Sequence, residues 1–147
     1  MALAALWWPQ GNAIPLKFET ETVTLRTQGG DKRFQVEIAR TPEQQQHGLM
    51  FRENLADDAG MLFLFRKPDV ISMWMMNTLI PLDMLFINRN GVIIHIAENT
   101  TPESSDIISS EKPALAVLEI KGGGAAAHGI AVGDILDHPY FLGIVNE

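Results

Sequence analysis

Apolar runs of strand length that lack in–out alternation are what most constrain the fold of this chain. Residues 61–65, 71–76, 82–88, 92–97 and 114–120 are such runs. A strand buried on one face alternates apolar with polar residues, whereas one buried on both faces reads as a continuous apolar run. Runs this short suit strands and fall below the length of a stable helix. Asn90-Gly91 lies between two of them and is a strong hairpin signal. Upstream, residues 17–26 alternate and are rich in β-branched side chains, and Gln28-Gly29-Gly30-Asp31 turns them into a return strand over 34–39. The expected fold is mostly β (α+β), a compact barrel-like or strongly curved mixed sheet carrying two short helices.

The first helix has the clearer signal. Thr41 is placed as N-cap, Pro42 at N1, Glu43 at the positive helix end and Gln44 at the reciprocal position of a capping box. It should end near His47 at Gly48, held by packing of Leu49, Met50 and Phe51 because two turns are too short to stand alone. The second is one turn within residues 122–130, between a glycine-rich turn and Gly129. With 147 residues and no repeat or linker, one β-rich domain over 14–147 is expected.

Residues 1–13 read as a signal-peptide remnant or a disordered tail. An apolar stretch ends at Trp8, and Gly11 and Ala13 are small residues two apart, as a signal peptidase prefers. The corresponding expectation is an exported protein in the periplasm or another extracytoplasmic space. Residues 70–87 are apolar enough to suggest a membrane span, but Asn77, Pro81 and Asp83 interrupt them. Asp at mid-membrane costs about 3 kcal/mol, so no transmembrane span is expected.

Charge and composition remove several functions. Eighteen acidic against eleven basic residues leave a net charge of −7, a poor match for a nucleic-acid backbone. The absence of cysteine excludes disulfides, thiol nucleophiles, Fe–S clusters and Cys-bound zinc. His47, His95, His128 and His138 show no metal-binding spacing, and no Gly-x-Ser-x-Gly elbow is present. No metal ligand set, no cofactor and no enzyme class follows from these residues.

The polar residues embedded in apolar runs are the site candidates. Asp83 falls between Leu82 and Met84, so its carboxylate needs a cation or several hydrogen-bond donors. It either caps a neighbouring loop through backbone N–H groups or serves a ligand. Arg52 follows Leu49-Met50-Phe51 and must meet a carboxylate, from Asp83, Glu43, Glu119 or a ligand. Asn77 and Thr78 interrupt an apolar run, as turn formers or as ligand contacts. Trp74, between Met73 and Met75, is a core residue or a stacking platform. The Gly122-Gly123-Gly124 run reads as a turn.

The strings Thr41-Pro42-Glu43-Gln44-Gln45-Gln46-His47-Gly48-Leu49-Met50-Phe51-Arg52, Gly60-Met61-Leu62-Phe63, Ser72-Met73-Trp74-Met75-Met76-Asn77-Thr78 and Ile80-Pro81-Leu82-Asp83-Met84-Leu85-Phe86-Ile87 occur in that order. Together they resemble the bacterial and archaeal family known as domain of unknown function 192. The resemblance spans about residues 34–136 and implies a compact β-rich domain, commonly exported, with no established activity. It also implies a lysine where this chain has Met76. Three readings follow. The first is an exported binding module for a small polar ligand, lined by Arg52, Trp74, Asn77, Thr78 and Asp83 and doing no chemistry. The second is a hydrolase-type enzyme using Asp83 as acid or base, and the third is an envelope protein–protein interaction domain.

Overall fold

The computed structural model describes residues 16–141, so the expected leader remnant over 1–13 lies outside the described residues. Seven strands form one mixed sheet: β1 (Glu19–Thr27), β2 (Gly30–Ala39), β3 (Ala59–Met73), β4 (Leu82–Ile87), β5 (Ile93–Ala97), β6 (Ile108–Lys121) and β7 (Ile135–Asp137). Their spatial order is β5-β4-β6-β3-β2-β1-β7. Among the described strands only β2 and β3 run parallel, and the helix α1 (Pro42–His47) lies on the crossover between them. A second short helix, α2 (Gly124–Ala127), follows β6.

The sheet curls until its two edges meet. Val92 bridges Ile135, and backbone bonds run from Ile93 N to Asp134 O (2.8 Å) and from Leu136 N to Gly91 O (2.8 Å). A strongly curved, barrel-like mixed sheet is therefore what the chain builds.

Both faces of the sheet are covered, which explains the unbroken apolar runs. One face holds Val23, Phe34, Ile38, Leu62, Leu85, Leu118 and Ile120. The other holds Ala39, Leu49, Met61, Phe63, Met75, Met84, Phe86 and Val117. Alternate residues of the central strands β3, β4 and β6 feed the two cores in turn.

Around α1 the chain follows its local signals. Gln44 N donates to Thr41 Oγ1 (3.1 Å), Thr41 N donates to Gln44 Oε1 (3.0 Å), and Gly48 N closes on Gln44 O (2.8 Å). No residue of α1 itself is buried, so the helix is held by its caps and by Leu49 just beyond it. Phe51, expected to pack beneath the helix, is instead 61% exposed. A second difference lies in β3. Runs 61–65 and 71–76 do not form two strands, because β3 continues from Ala59 to Met73. The polar stretch Arg66-Lys67-Pro68-Asp69 is spanned by register shifts against β6, so Pro68 breaks the ladder without breaking the strand.

At Gly60 the backbones of β3 and β6 approach unusually closely. A Cβ there would lie 2.4 Å from the carbonyl oxygen of Glu119. Gly60→Ala should cost about 2–3 kcal/mol through forced strand separation. Urea denaturation would show it, and a loss below about 0.5 kcal/mol would mean the strands yield freely.

Candidate functional site

The strand register places charges on the buried sheet face beside α1. Glu37 of β2 pairs with Met61 of β3, Met61 with Glu119 of β6, and Glu119 with Met84 of β4. Two carboxyl groups thus stand in one row across the sheet, two strand spacings or roughly 10 Å apart. Arg52 takes one of them. Its guanidinium forks onto Glu37, with Nη1 to Oε1 at 2.6 Å and Nη2 to Oε2 at 3.0 Å. Arg52 therefore meets none of the three internal carboxylates expected for it.

Glu119 has no such partner. It is 4% exposed, and among the described residues its carboxyl makes no hydrogen bond or ion pair with the protein. Burial alone pushes its pKa up to about 8, so at neutral pH the group is mostly the uncharged acid. It lines a cavity of about 200 Å³ between the sheet, α1 and the segment after β3. The walls include Gln45, His47, Met50, Phe63, Phe65, Met73, Trp74, Met76 and Thr78. Among the described residues, no Lys or Arg contributes to them.

Two turns form the mouth of this cavity. Met50 N bonds to His47 O (3.0 Å) in one, and Thr78 N bonds to Met75 O (3.0 Å) in the other. Phe51 N donates to Asn77 O (2.9 Å) and fastens the turns together. Phe51 and Asn77 both have left-handed backbones, at φ 66 and φ 57. Asn tolerates that geometry, whereas for Phe it is strained, and such strain concentrates where surrounding structure enforces a particular shape.

The sequence-predicted residues divide into groups. Trp74, 40% exposed, and Thr78, 6% exposed, line the cavity. Asn77 is at its rim, in an adjoining hollow with Trp74 and Met76. Arg52 does not line the cavity and braces Glu37. Asp83 lies on the opposite face of the sheet from Glu119, opposite Ile120 in register. It is fully buried and accepts three backbone bonds: Asn99 N to Oδ1 (2.8 Å), Gly123 N to Oδ1 (3.0 Å) and Ala125 N to Oδ2 (2.8 Å). Those donors tie the β5–β6 loop and the start of α2 to β4. Because the sheet separates Asp83 from Glu119, they do not form a hydrolytic carboxylate pair.

Glu119 carries the same sequence signal as Asp83, a lone carboxyl in an apolar run, which made it legible as a counter-charge for Arg52 or as the partner of Asp83 in an acid–base pair, but not as a cavity residue. Among the described residues, no cluster of three His, Asp or Glu side chains is placed to hold a metal ion. No helix among them is long and apolar enough to cross a membrane.

A small curled-sheet domain with one polar-floored cavity is thus the class that fold and site define. Residues 23–138 match the family domain of unknown function 192, described as an uncharacterized ACR, and the chain belongs to that family. A protein of Sinorhizobium meliloti 1021, provisionally described as a transcription regulator, is 41% identical with a TM-score of 0.83, covering 86% of this chain and 99% of that one. A protein of unknown function from Novosphingobium aromaticivorans DSM 12444 is 40% identical with a TM-score of 0.81, covering 86% and 91% respectively. No functionally curated protein matches the chain.

Proposed function

We propose that this domain is a non-catalytic binding module whose ligand is a small molecule with an apolar body and a basic head group. The observation that carries this reading is Glu119, a buried carboxyl that faces a cavity and lacks a protein partner. Its carboxyl oxygens keep surface open to the cavity, and a desolvated carboxyl with no protein partner beside an open volume marks a place for an incoming group. An amine supplies both hydrogen bond and counter-charge. An anionic ligand would find no Lys or Arg in the walls, and it would approach a chain of net charge −7. The volume of about 200 Å³ is below that of a drug-sized site and suits a ligand of roughly one ring. Trp74, Phe63, Phe65 and the methionines supply the apolar contact.

Export to an extracytoplasmic space belongs to the same proposal and rests on the flanks of residues 1–13. The regulator description of the Sinorhizobium relative is not carried over, because this acidic chain is ill suited to phosphate backbones.

The test titrates the full chain with a panel of small primary amines and their uncharged alcohol counterparts, reading methyl-13C-methionine NMR. Amines should shift the Met50, Met73 and Met76 methyls, alcohols should not, and Glu119→Gln should weaken the response about tenfold or more. Equal responses to amines and alcohols, or unchanged binding by Glu119→Gln, would overturn the proposal.

A further inference from the structure

We infer that His47, Met50 and Met76, which line the cavity together with Trp74, form a site for a soft monovalent metal ion, Cu(I) or Ag(I), at the cavity mouth. These four side chains line both the main cavity and the adjoining outer hollow, so they form the ridge where the two volumes meet. The backbone holds them there. Met50 N is bonded to His47 O, and the Phe51 N to Asn77 O bond fixes this turn against the one carrying Met76. Asn77 Nδ2 also reaches Met50 Sδ at 4.0 Å, which keeps that thioether beside the second turn.

The donors are available. Neither ring nitrogen of His47 makes a hydrogen bond among the described residues, although the ring lies 6.2 Å from that of Phe51. Met50, Met76 and His47 are partly exposed, so an ion reaches them from solvent without opening the core. Met75, by contrast, is fully buried and its sulfur is taken by Thr100 Oγ1 at 3.1 Å.

The donor set selects the ion. Thioether sulfur is soft and binds monovalent copper or silver far better than zinc, magnesium or calcium, and imidazole also accepts copper. Two sulfurs and one nitrogen make a three-coordinate site, as a d10 monovalent ion accepts. The indole of Trp74 lines the same two volumes, and an electron-rich ring at that position attracts a bound cation. The two readings share Met50, Met76 and Trp74 but rest on different donors: the amine site needs the Glu119 carboxyl, and the metal site needs the two thioethers and the His47 ring.

The experiment is an anaerobic competition of the full chain against bicinchoninate for Cu(I) at pH 7, with Ag(I) as the redox-inert probe for NMR. One Cu(I) per chain should transfer from the chelator. Ag(I) at one equivalent should shift the Met50 and Met76 methyls and the His47 ring together, leaving Met75 and Met84 in place. Met50→Leu and Met76→Leu keep side-chain volume, so they should fold normally and each weaken Cu(I) about tenfold or more. Failure to withdraw Cu(I), or undiminished binding by the His47→Gln, Met50→Leu, Met76→Leu triple variant, would overturn the site.

Discussion

Asp83→Ala should destabilise the protein by about 4–6 kcal/mol, and Asp83→Asn by about 2–3 kcal/mol. Three backbone N–H groups converge on the Asp83 carboxylate at 2.8, 3.0 and 2.8 Å. A hydrogen bond to a charged acceptor contributes about 1.5–3 kcal/mol, and a buried donor left unpaired forfeits its full solvation. Alanine removes both acceptor oxygens and with them all three bonds. Asparagine keeps one oxygen for Asn99 and Gly123 but turns an NH2 group toward Ala125 N–H, the most deeply buried of the three bonds. Since a domain of this size is typically stable by only about 5–15 kcal/mol, the alanine variant should lose a large share of its stability. Equilibrium urea denaturation measures both losses. Asp83→Asn protein that remains folded should still bind amines, because the cavity lies across the sheet. A loss of amine binding without a loss of stability would return Asp83 to the ligand site.

Glu119→Gln should do the reverse at neutral and alkaline pH, stabilising the protein. The folded-state pKa of about 8 lies above the ordinary glutamate value of 4.5, and the cause is desolvation. Between those values the unfolded chain has released its proton while the folded protein still holds it. Folding therefore takes up a proton, and stability falls as pH rises from about 4.5 to about 8, then levels. The whole window amounts to roughly 3–5 kcal/mol. Glutamine is uncharged and similar in shape, so this dependence should vanish in the variant. Parent and variant should be nearly equal near pH 4.5, with the variant ahead by a few kcal/mol at pH 8. Urea midpoints across that range give the difference curve, in which the other titrating groups largely cancel. A flat difference would mean that Glu119 finds a partner in the folded protein.

The readability of this chain followed the range of the interactions involved. The α1 boundaries were legible because Thr41, Pro42, Gln44 and Gly48 act within one turn of one another. The face assignment of β4 was legible because alternation is a local property: Leu82, Met84 and Phe86 do share one core, and Leu85 and Ile87 the other. Continuity of β3 through Pro68 was not, since its register shifts depend on β6, some 45 residues later in the chain. The need of Asp83 for donors could be read from its neighbours, but the donors are backbone groups 16, 40 and 42 residues away and so leave no side-chain signature. The choice of Glu37 by Arg52, which leaves Glu119 alone, follows from the β2–β3–β6 register. That register is a property of the assembled sheet.

The most direct measurement is a pH titration of the Glu119 side-chain carboxyl by 13C NMR, repeated with a saturating primary amine from the panel. The expected midpoint in the free protein is about 8, moving down toward the ordinary carboxylate range when the amine supplies the missing counter-charge. A free midpoint near 4.5, or a midpoint that the amine leaves unmoved, would contradict a ligand-seeking carboxyl at the floor of this cavity.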